Sequence, residues 1–397
     1  MPIPTPFHPR TFKLCTSLKW KDWAGYYSVA SFDTSYEGEY FAFRHAAGLM
    51  DFTPLFKYEV YGPDAAEFLS YVLTKDIRRL QPGNVAYCCW CDDFGKVIDD
   101  GTVARLEEDY FRLTAAEPMY SWFTRHQQGF ENVHIEDSTR KYAALAIQGP
   151  TSRDILKQSS DVNLDSLKYF QIARGKLDGV DVFISRTGYT GDLGYEIWVQ
   201  NQYALSVWDA LVSLGKPYGI EPAGLDALDV ARVEAGFIMN DVDYFSAHHC
   251  LIESRKSTPY ELGLGWTVDL EREPFVGQRA LQAERRNGPK LALVGLEYAW
   301  EEYEELCARH ALPAQAPSHA WRTPVPLYDG SGRHIGRATS GSWSPILKKA
   351  LALGTVDSRY KELGTRIKIE ATVEYQRHKV TATVVPRPFY NPERKKS

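Results

Sequence analysis

The stretch Gly95-Lys96-Val97-Ile98-Asp99-Asp100-Gly101-Thr102-Val103 places two adjacent carboxylates inside an otherwise apolar segment. Its β-branched residues are typical of a strand, and the preceding Phe94-Gly95 is typical of a turn. Neighbouring side chains of a strand point to opposite faces, so Asp99 and Asp100 are expected to have different roles. One should face the interior or a cavity, and the other solvent or a capping position. The inward carboxylate needs a partner because its burial is costly; a turn aspartate held by backbone N–H groups is the alternative.

The composition is that of an ordinary globular protein. The 397 residues, 44% hydrophobic and 24% charged, are enough for two or three domains. A net charge of −5 gives no electrostatic case for binding nucleic acid or an anionic membrane. The 10 Trp and 24 Tyr suit flat ring ligands and equally suit large cores. The N-terminus has no signal-peptide pattern and no apolar run reaches membrane-spanning length, so a cytoplasmic location is expected.

Cysteine and histidine spacing does not predict a metal site. Six cysteines in a chain of this length do not form a disulfide framework. Cys88-Cys89-Trp90-Cys91 has no partner pair at a zinc-like spacing, so we expect buried free thiols. His248 and His249 are adjacent and therefore diverge, which argues against a shared metal.

The chain divides into two regions. A strand followed by Gly-Pro and a helix occurs at Gly62-Pro63 and again at Gly149-Pro150, which indicates two related α+β subdomains within residues 1–284. A helix over Ala223 to Ala235 carries two aspartates, an arginine and a glutamate, which we expect on a polar face. Residues 285–397 contain mostly strand patterns and predict a separate all-β module of barrel or jelly-roll type.

A second isolated carboxylate lies in a predicted hairpin over Val180 to Gln200. Its Gly-rich turn, from Gly188 to Gly194, lacks the Gly-Lys-Ser/Thr ending of a phosphate loop and precedes a strand rather than a helix. Glu196 follows in an apolar strand beside aromatic residues. It either faces a ligand or faces water from an edge strand.

Taken together, these segments resemble the folate-dependent aminomethyltransferases, the family of the T-protein of the glycine cleavage system. No single motif is specific, but seven occur in family order over nearly the whole chain. The motifs are Gly-Lys-Val-Ile-Asp-Asp (95–100), Ala-Ile-Gln-Gly-Pro (146–150), Gly-Tyr-Thr-Gly-Asp-Leu-Gly-Tyr-Glu (188–196), Ala-Gly-Leu-Asp-Ala-Leu-Asp-Val-Ala-Arg-Val-Glu-Ala-Gly (223–236), Asn-Asp (240–241), Ala-Thr-Ser-Gly-Ser-Trp-Ser-Pro (338–345) and Pro-Phe-Tyr-Asn-Pro (388–392).

The resemblance implies a three-domain cloverleaf of α+β class that binds tetrahydrofolate in a central hole. It implies that Asp99 is the essential aspartate, which would orient the pterin and manage the proton on N5. A buried acceptor-only carboxylate such as Glu196 suits the N–H donors of a pterin edge. The further folate contacts that the resemblance implies are Tyr87, Gln148, Tyr189 and Tyr390.

The sequence departs from the T-protein where the substrate is expected. The Ala-Arg-Asp of that family is Ala227-Leu228-Asp229 here, and Phe52 to Lys57 replaces the usual Ser-His-Met. Loss of a cation and gain of apolar side chains make the chain look closer to the branch that demethylates small molecules onto tetrahydrofolate. This branch includes aryl O-demethylases and dimethylsulfoniopropionate demethylase.

The predicted reaction is methyl transfer from a methoxy-aromatic compound to N5 of tetrahydrofolate, which gives 5-methyltetrahydrofolate and a phenol. The leaving oxygen needs a proton or hydrogen bond, for which Tyr27 and Tyr244 are candidates because tyrosine donates while uncharged. Trp90, Leu228 and His249 are candidate substrate contacts. The alternatives are a sulfonium or N-methyl donor, a glycine-cleavage aminomethyltransferase, and a folate-binding protein without catalysis.

Overall fold

The computed structural model describes residues 1–396 and has the predicted α+β class. The helices are α1 (His8–Leu14), α2 (Glu37–His45), α3 (Ala65–Val72), α4 (Tyr120–Arg125), α5 (Ser152–Lys157), α6 (Ala204–Gly215), α7 (Leu225–Glu234), α8 (Gln278–Asn287) and α9 (Trp300–Arg309). The strands are β1 (Lys19–Trp23), β2 (Tyr26–Ser31), β3 (Ala47–Asp51), β4 (Phe56–Tyr61), β5 (Val85–Cys91), β6 (Val97–Glu107), β7 (Tyr110–Ala115), β8 (His134–Asp137), β9 (Tyr142–Gln148), β10 (Ile172–Leu177), β11 (Val180–Ser185), β12 (Gly194–Gln200), β13 (Ile220–Pro222), β14 (Leu291–Tyr298), β15 (Val325–Tyr328), β16 (His334–Ser344), β17 (Lys349–Asp357), β18 (Arg366–Val373) and β19 (Gln376–Val385).

The first region has two large sheets and a two-stranded sheet of β1 and β2. A five-stranded antiparallel sheet has the order β5-β6-β7-β4-β8, and a six-stranded sheet has the order β10-β11-β12-β9-β3-β13. All neighbours in the second sheet are antiparallel except β13, which runs parallel to β3. The predicted hairpin is formed by β11 and β12.

The repeated Gly-Pro motif occurs once in each sheet, as β4 into α3 and as β9 into α5. Gly62 has φ +115° and Gly149 has φ +129°, backbone angles that residues other than glycine rarely adopt. A Cβ at Gly62 would lie 2.2 Å from the carbonyl oxygen of Asn132, and one at Gly149 would lie 2.4 Å from that of Ala46. Glycine is therefore required at both strand-to-helix turns.

The C-terminal region is a closed barrel of strand order β14-β17-β16-β15-β18-β19, as the strand patterns predicted. Leu306 and Cys307 of α9 pack into its core. The first barrel strand begins at Leu291, whereas the predicted domain boundary at 285 falls inside α8. Leu281 of α8 packs with Cys91 and other residues of the first region. The boundary stays a prediction.

Helix α7 is buried along its whole length, which corrects the prediction that it presents a polar face. Its charged side chains have partners on other segments. Glu234 accepts hydrogen bonds from the Tyr40 hydroxyl at 2.6 Å and from Ser344 at 2.5 Å, and it pairs with Arg44 at 2.7 Å. The helix thus joins the first region to β16 of the barrel.

None of the helices within residues 1–396 has the length and apolar character that crossing a bilayer requires.

Candidate functional site

A cavity of about 1440 Å³ lies where the two sheets, the barrel and the segment after α7 meet. The residues that line it fall into three chemical groups. The acids and amide are Asp22, Asp100, Glu117, Glu196, Asp229, Asn240 and Asp241; the bases are Lys21, Lys75, Arg322, Lys361, Arg387, Lys395 and Lys396; the larger apolar and aromatic side chains include Trp23, Phe52, Leu55, Tyr87, Tyr169, Phe170, Tyr189, Trp198, Leu225, Leu228, Phe237, Trp266, Leu293 and Leu363.

Strand register decides which aspartate faces the cavity. On β5, Cys89 pairs with Asp100 and Trp90 pairs with Asp99. Asp100 therefore lies on the face of the sheet that borders the cavity, whereas Asp99 lies on the opposite face with Trp90. Asp100 lines the cavity and accepts hydrogen bonds from the Tyr87 hydroxyl at 2.6 Å and from the Tyr244 hydroxyl.

Asp99 is fully buried and does not line the cavity, which differs from the expected position. Its Oδ2 accepts the backbone N–H groups of Ala116 and Glu117, each at 2.9 Å. Its Oδ1 accepts the N–H of Asp100 at 2.9 Å and Nδ2 of Asn240 at 3.0 Å. Asp99 thus holds together the segments that carry Glu117 and Asn240, as a backbone-capping aspartate would.

Burial raises the pKa of both aspartates, and the negative charge of Asp100 raises that of Asp99 further. Burial also raises the pKa values of Tyr87 and Tyr244 well above the usual range. Both tyrosines therefore remain hydroxyl donors to Asp100. The arrangement can hold and release a proton at the cavity wall.

Glu196 lines the cavity in β12, paired with Ser185 of β11 and Ala146 of β9. Burial raises its pKa to about 7, and a hydrogen bond from Thr187 opposes that rise. No cation among residues 1–396 is among the causes of the shift. A half-buried carboxylate with this little compensation can accept ligand N–H groups.

Tyr189 and Gln148 have different positions around the Gly-rich turn. Tyr189 lines the cavity, stacks on Phe237 with ring centroids 5.4 Å apart, and donates its hydroxyl to the carbonyl oxygen of Ile238. Gln148 is buried behind the turn, where its Nε2 donates to the carbonyl oxygens of Thr187 and Tyr195 at 3.2 and 3.3 Å. Gln148 shapes the turn and does not line the cavity.

One wall of the cavity is apolar and aromatic. Leu225 and Leu228 of α7 contribute to it from one side. We call the surface formed by these two leucines and the residues that pack against them the apolar wall. It consists of Trp23, Phe52, Leu55, Trp198, Leu225 and Leu228.

Comparison with known proteins places this arrangement in a family. Residues 13–272 match the GCVT N-terminal domain, and residues 313–391 match the glycine cleavage T-protein C-terminal barrel domain. The chain belongs to the glycine cleavage T-protein family. An aminomethyltransferase of Caldanaerobacter subterraneus subsp. tengcongensis is 34% identical over 380 residues, covering 94% of this chain and 93% of that protein.

Two further relatives agree with this membership. The crystal structure of glycine cleavage system aminomethyltransferase T from Bartonella henselae superposes with a TM-score of 0.83 at 26% identity, covering 98% of this chain and 99% of that one. A protein of Ruegeria pomeroyi named trimethylamine-oxide aldolase is 34% identical over 374 residues, covering 90% of this chain but 43% of that protein.

T-protein family members bind tetrahydrofolate, and the cavity residues fit it. Glu196 offers an acceptor for the donor-rich pterin edge. Tyr189, Phe237 and Trp266 offer ring faces within the same cavity. Lys361, Lys395 and Lys396 offer cations to the carboxylates of the glutamate part of tetrahydrofolate.

Besides Asp99 and Gln148, four more predicted site residues do not line the cavity. Tyr27 is 38% exposed because alternation along β2 turns Tyr26 inward and Tyr27 outward. Trp90 lies in the core on the other side of the five-stranded sheet. Tyr244 lies behind Asp100 and reaches the cavity only through it. Tyr390 accepts a hydrogen bond from Arg394 at 2.7 Å and stacks over Arg44, as part of a structural ion cluster.

His249 lies at the margin of the cavity rather than in it. Its Nδ1 is 3.4 Å from a Glu117 carboxylate oxygen, and its Nε2 is 3.6 Å from one of Asp241. These three side chains offer ligand atoms within 4.8 Å of one another, but the two carboxylates face different ring nitrogens. The imidazole of His249 thus lies between two acids.

Sequence reasoning missed several cavity residues. Glu117, Asn240 and Phe237 lie in loops without a periodic pattern, so their direction follows only from the fold. Asp100 could not be distinguished from Asp99, because the register of β6 against β5 decides which of the two faces the cavity.

The pKa of Glu196 gives a testable pH dependence. If the ionised form accepts the pterin donors, tetrahydrofolate affinity should fall as the pH drops below about 7. We expect Glu196→Gln to weaken binding at pH 8 by about 10- to 100-fold and to remove this pH dependence, since charge-assisted hydrogen bonds are lost. Anaerobic titration between pH 6 and 8.5 measures both effects. Glu221→Gln, an exposed glutamate in β13, is the matched control; an equal effect there would count against the assignment.

Proposed function

We propose that this T-protein family member is a tetrahydrofolate-dependent O-demethylase that acts on a small methoxy-aromatic compound. In the overall reaction the methyl–oxygen bond of the ether breaks, the methyl carbon bonds to N5, and N5 loses one proton while the phenol oxygen gains one. The products are 5-methyltetrahydrofolate and a phenol. Bound tetrahydrofolate supplies the nucleophilic nitrogen.

The apolar wall is the observation that carries this proposal. It places Trp23, Phe52 and Trp198 within the same cavity as the two candidate folate-binding features, Glu196 and Tyr189. Leu228 occupies the position where the T-protein pattern has arginine, so its side chain adds no charge to the wall. Such a surface favours a flat apolar donor over a polar aminomethyl group on a carrier.

Asp100 and its two tyrosines are the proton-handling group in this proposal. The aryloxide anion is a poor leaving group. Its oxygen must therefore gain a proton or a hydrogen bond as the methyl–oxygen bond breaks. Tyr87 lines the cavity and keeps its hydroxyl proton because its pKa is raised. Tyr244 holds Asp100 from behind and acts on the reaction through it. These positions replace the role first expected of Tyr27.

The proposal is tested by anaerobic incubation with tetrahydrofolate and a panel of methoxybenzoates, followed by chromatography of the folate products. We expect 5-methyltetrahydrofolate and the matching phenol in equal amounts. An Asp100→Asn variant serves as the matched control for non-enzymatic transfer. The absence of methyltetrahydrofolate with every methoxy-aromatic donor would overturn the proposal.

A second candidate is transfer from a nitrogen donor. It is supported by the relatives named aminomethyltransferase and by the relative named trimethylamine-oxide aldolase. The aromatic side chains of the apolar wall would also suit a methylated cation, including a sulfonium. Methylated amines, a sulfonium and an aminomethylated carrier protein with ammonia release are therefore further arms of the same assay. Folate binding without product in any arm would favour a non-catalytic binding protein.

A further inference from the structure

The absence of arginine at position 228 does not leave α7 without cations. Lys21 of β1 reaches Asp226 at 2.5 Å, and Nε of Arg322 reaches Oδ2 of Asp229 at 2.7 Å. Asp226 and Asp229 are one turn apart on the helix. Both Lys21 and Arg322 also line the cavity. The cations therefore come from two segments that are distant from α7 in the sequence.

Arg322 is the better placed of the two to hold an anionic ligand. In the described part of the chain its hydrogen bond to Asp229 uses Nε, and its two terminal nitrogens donate to no protein atom. The other oxygen of Asp229 accepts Nε of Arg232 at 2.8 Å, so Asp229 is shared between two guanidinium groups. Arg322 keeps a free planar pair of donors, and its side chain is 38% exposed.

The backbone next to Arg322 is fixed against the barrel. Trp321 exchanges hydrogen bonds with Gly341 of β16, at 2.8 and 3.1 Å. A Cβ at Gly341 would lie 2.2 Å from the Trp321 ring, so glycine allows this close packing. Arg322 is thus presented to the cavity by an anchored segment, which reduces the ordering cost of binding.

We propose that Arg322 binds a carboxylate of the donor and thereby selects acidic aromatic donors over neutral ones. This inference rests on the proposed function. The guanidinium lies beside Asp229, the residue after Leu228, so a ring on the apolar wall would place a ring carboxylate toward it. A planar carboxylate matches the paired donors of arginine, which a lysine cannot reproduce.

The test compares 4-methoxybenzoate with 4-methoxybenzamide, which has nearly the same shape but no charge. Equilibrium binding to the full chain is followed by tryptophan fluorescence, and methyltetrahydrofolate formation is measured with each compound. We expect the wild type to prefer the acid by about 10- to 100-fold in Kd. Arg322→Met should remove this preference, Arg322→Lys should keep part of it, and tetrahydrofolate affinity should not change.

Lys21→Met is the matched control because Lys21 also lines the cavity and pairs with an aspartate of α7, and it should keep the preference for the acid. Equal binding of acid and amide by the wild type would overturn the inference. So would a preference that survives Arg322→Met, or one lost only in Lys21→Met. Failure of the proposed function is distinguishable, because it removes methyl transfer from both compounds, whereas failure of this inference leaves transfer and removes only the discrimination.

Discussion

Asp100→Asn is expected to lower the rate of methyl transfer by about 10²- to 10⁴-fold, the usual contribution of a positioned acid or base. The amide would keep the hydrogen bond to one tyrosine but could not hold or release the proton. Asp100 lines the cavity, so folding should change little. Single-turnover measurement with saturating tetrahydrofolate separates the chemical step from binding.

Asp99→Asn should give the opposite pattern. Both oxygens of Asp99 accept backbone or amide N–H groups, and an asparagine nitrogen would face donors on one side. We expect a lower thermal midpoint, with activity lost in proportion to folded protein. Asp93→Asn, in the exposed turn before β6, is the control. A stable Asp99→Asn protein without activity, together with an active Asp100→Asn protein, would reverse the two assignments.

The largest effect on stability is expected from Arg44→Met. Arg44 is fully buried, pairs with Glu234 at 2.7 Å and donates to the carbonyl oxygen of Thr190 at 3.0 Å. Its removal leaves Glu234 as a buried carboxylate whose remaining side-chain partners within residues 1–396 are the hydroxyls of Tyr40 and Ser344. Breaking such a pair costs about 3–5 kcal/mol of unfolding free energy.

Urea unfolding of the two proteins measures this difference. Arg10→Met is the matched control, because Arg10 and Asp209 form a pair of the same 2.7 Å length at the surface. Exposed pairs contribute about 0–1 kcal/mol, so the control should unfold almost like the wild type. Similar losses in both variants would show that the Arg44 cluster is not a centre of stability.

The fold could be predicted from the sequence because its signals are local. The apolar runs with Gly-Pro turns predicted the strand-to-helix units that occur in both large sheets, and the alternating C-terminal strands predicted the barrel. The burial of α7 could not be predicted in this way. Its charged residues are compensated by Lys21, Arg44 and Arg322, which are brought to the helix only by the tertiary structure.

The candidate site was predicted in part, and two of the misplaced residues share one physical cause. Glu196, Tyr87, Tyr189 and Leu228 line the cavity, as their assignment to the site requires. Tyr27 and Trp90 face away because a strand shows alternate residues to each side, and a motif does not state which side faces a ligand.

The central claim is that Glu196 and Asp100 face one cavity that holds tetrahydrofolate. A crystal structure of the protein with tetrahydrofolate tests it most directly. We expect the pterin edge within hydrogen-bonding distance of the Glu196 carboxylate, with N5 on the side of Asp100 and the apolar wall left open for the donor. A pterin bound elsewhere, with Glu196 in contact only with protein or solvent, would contradict it.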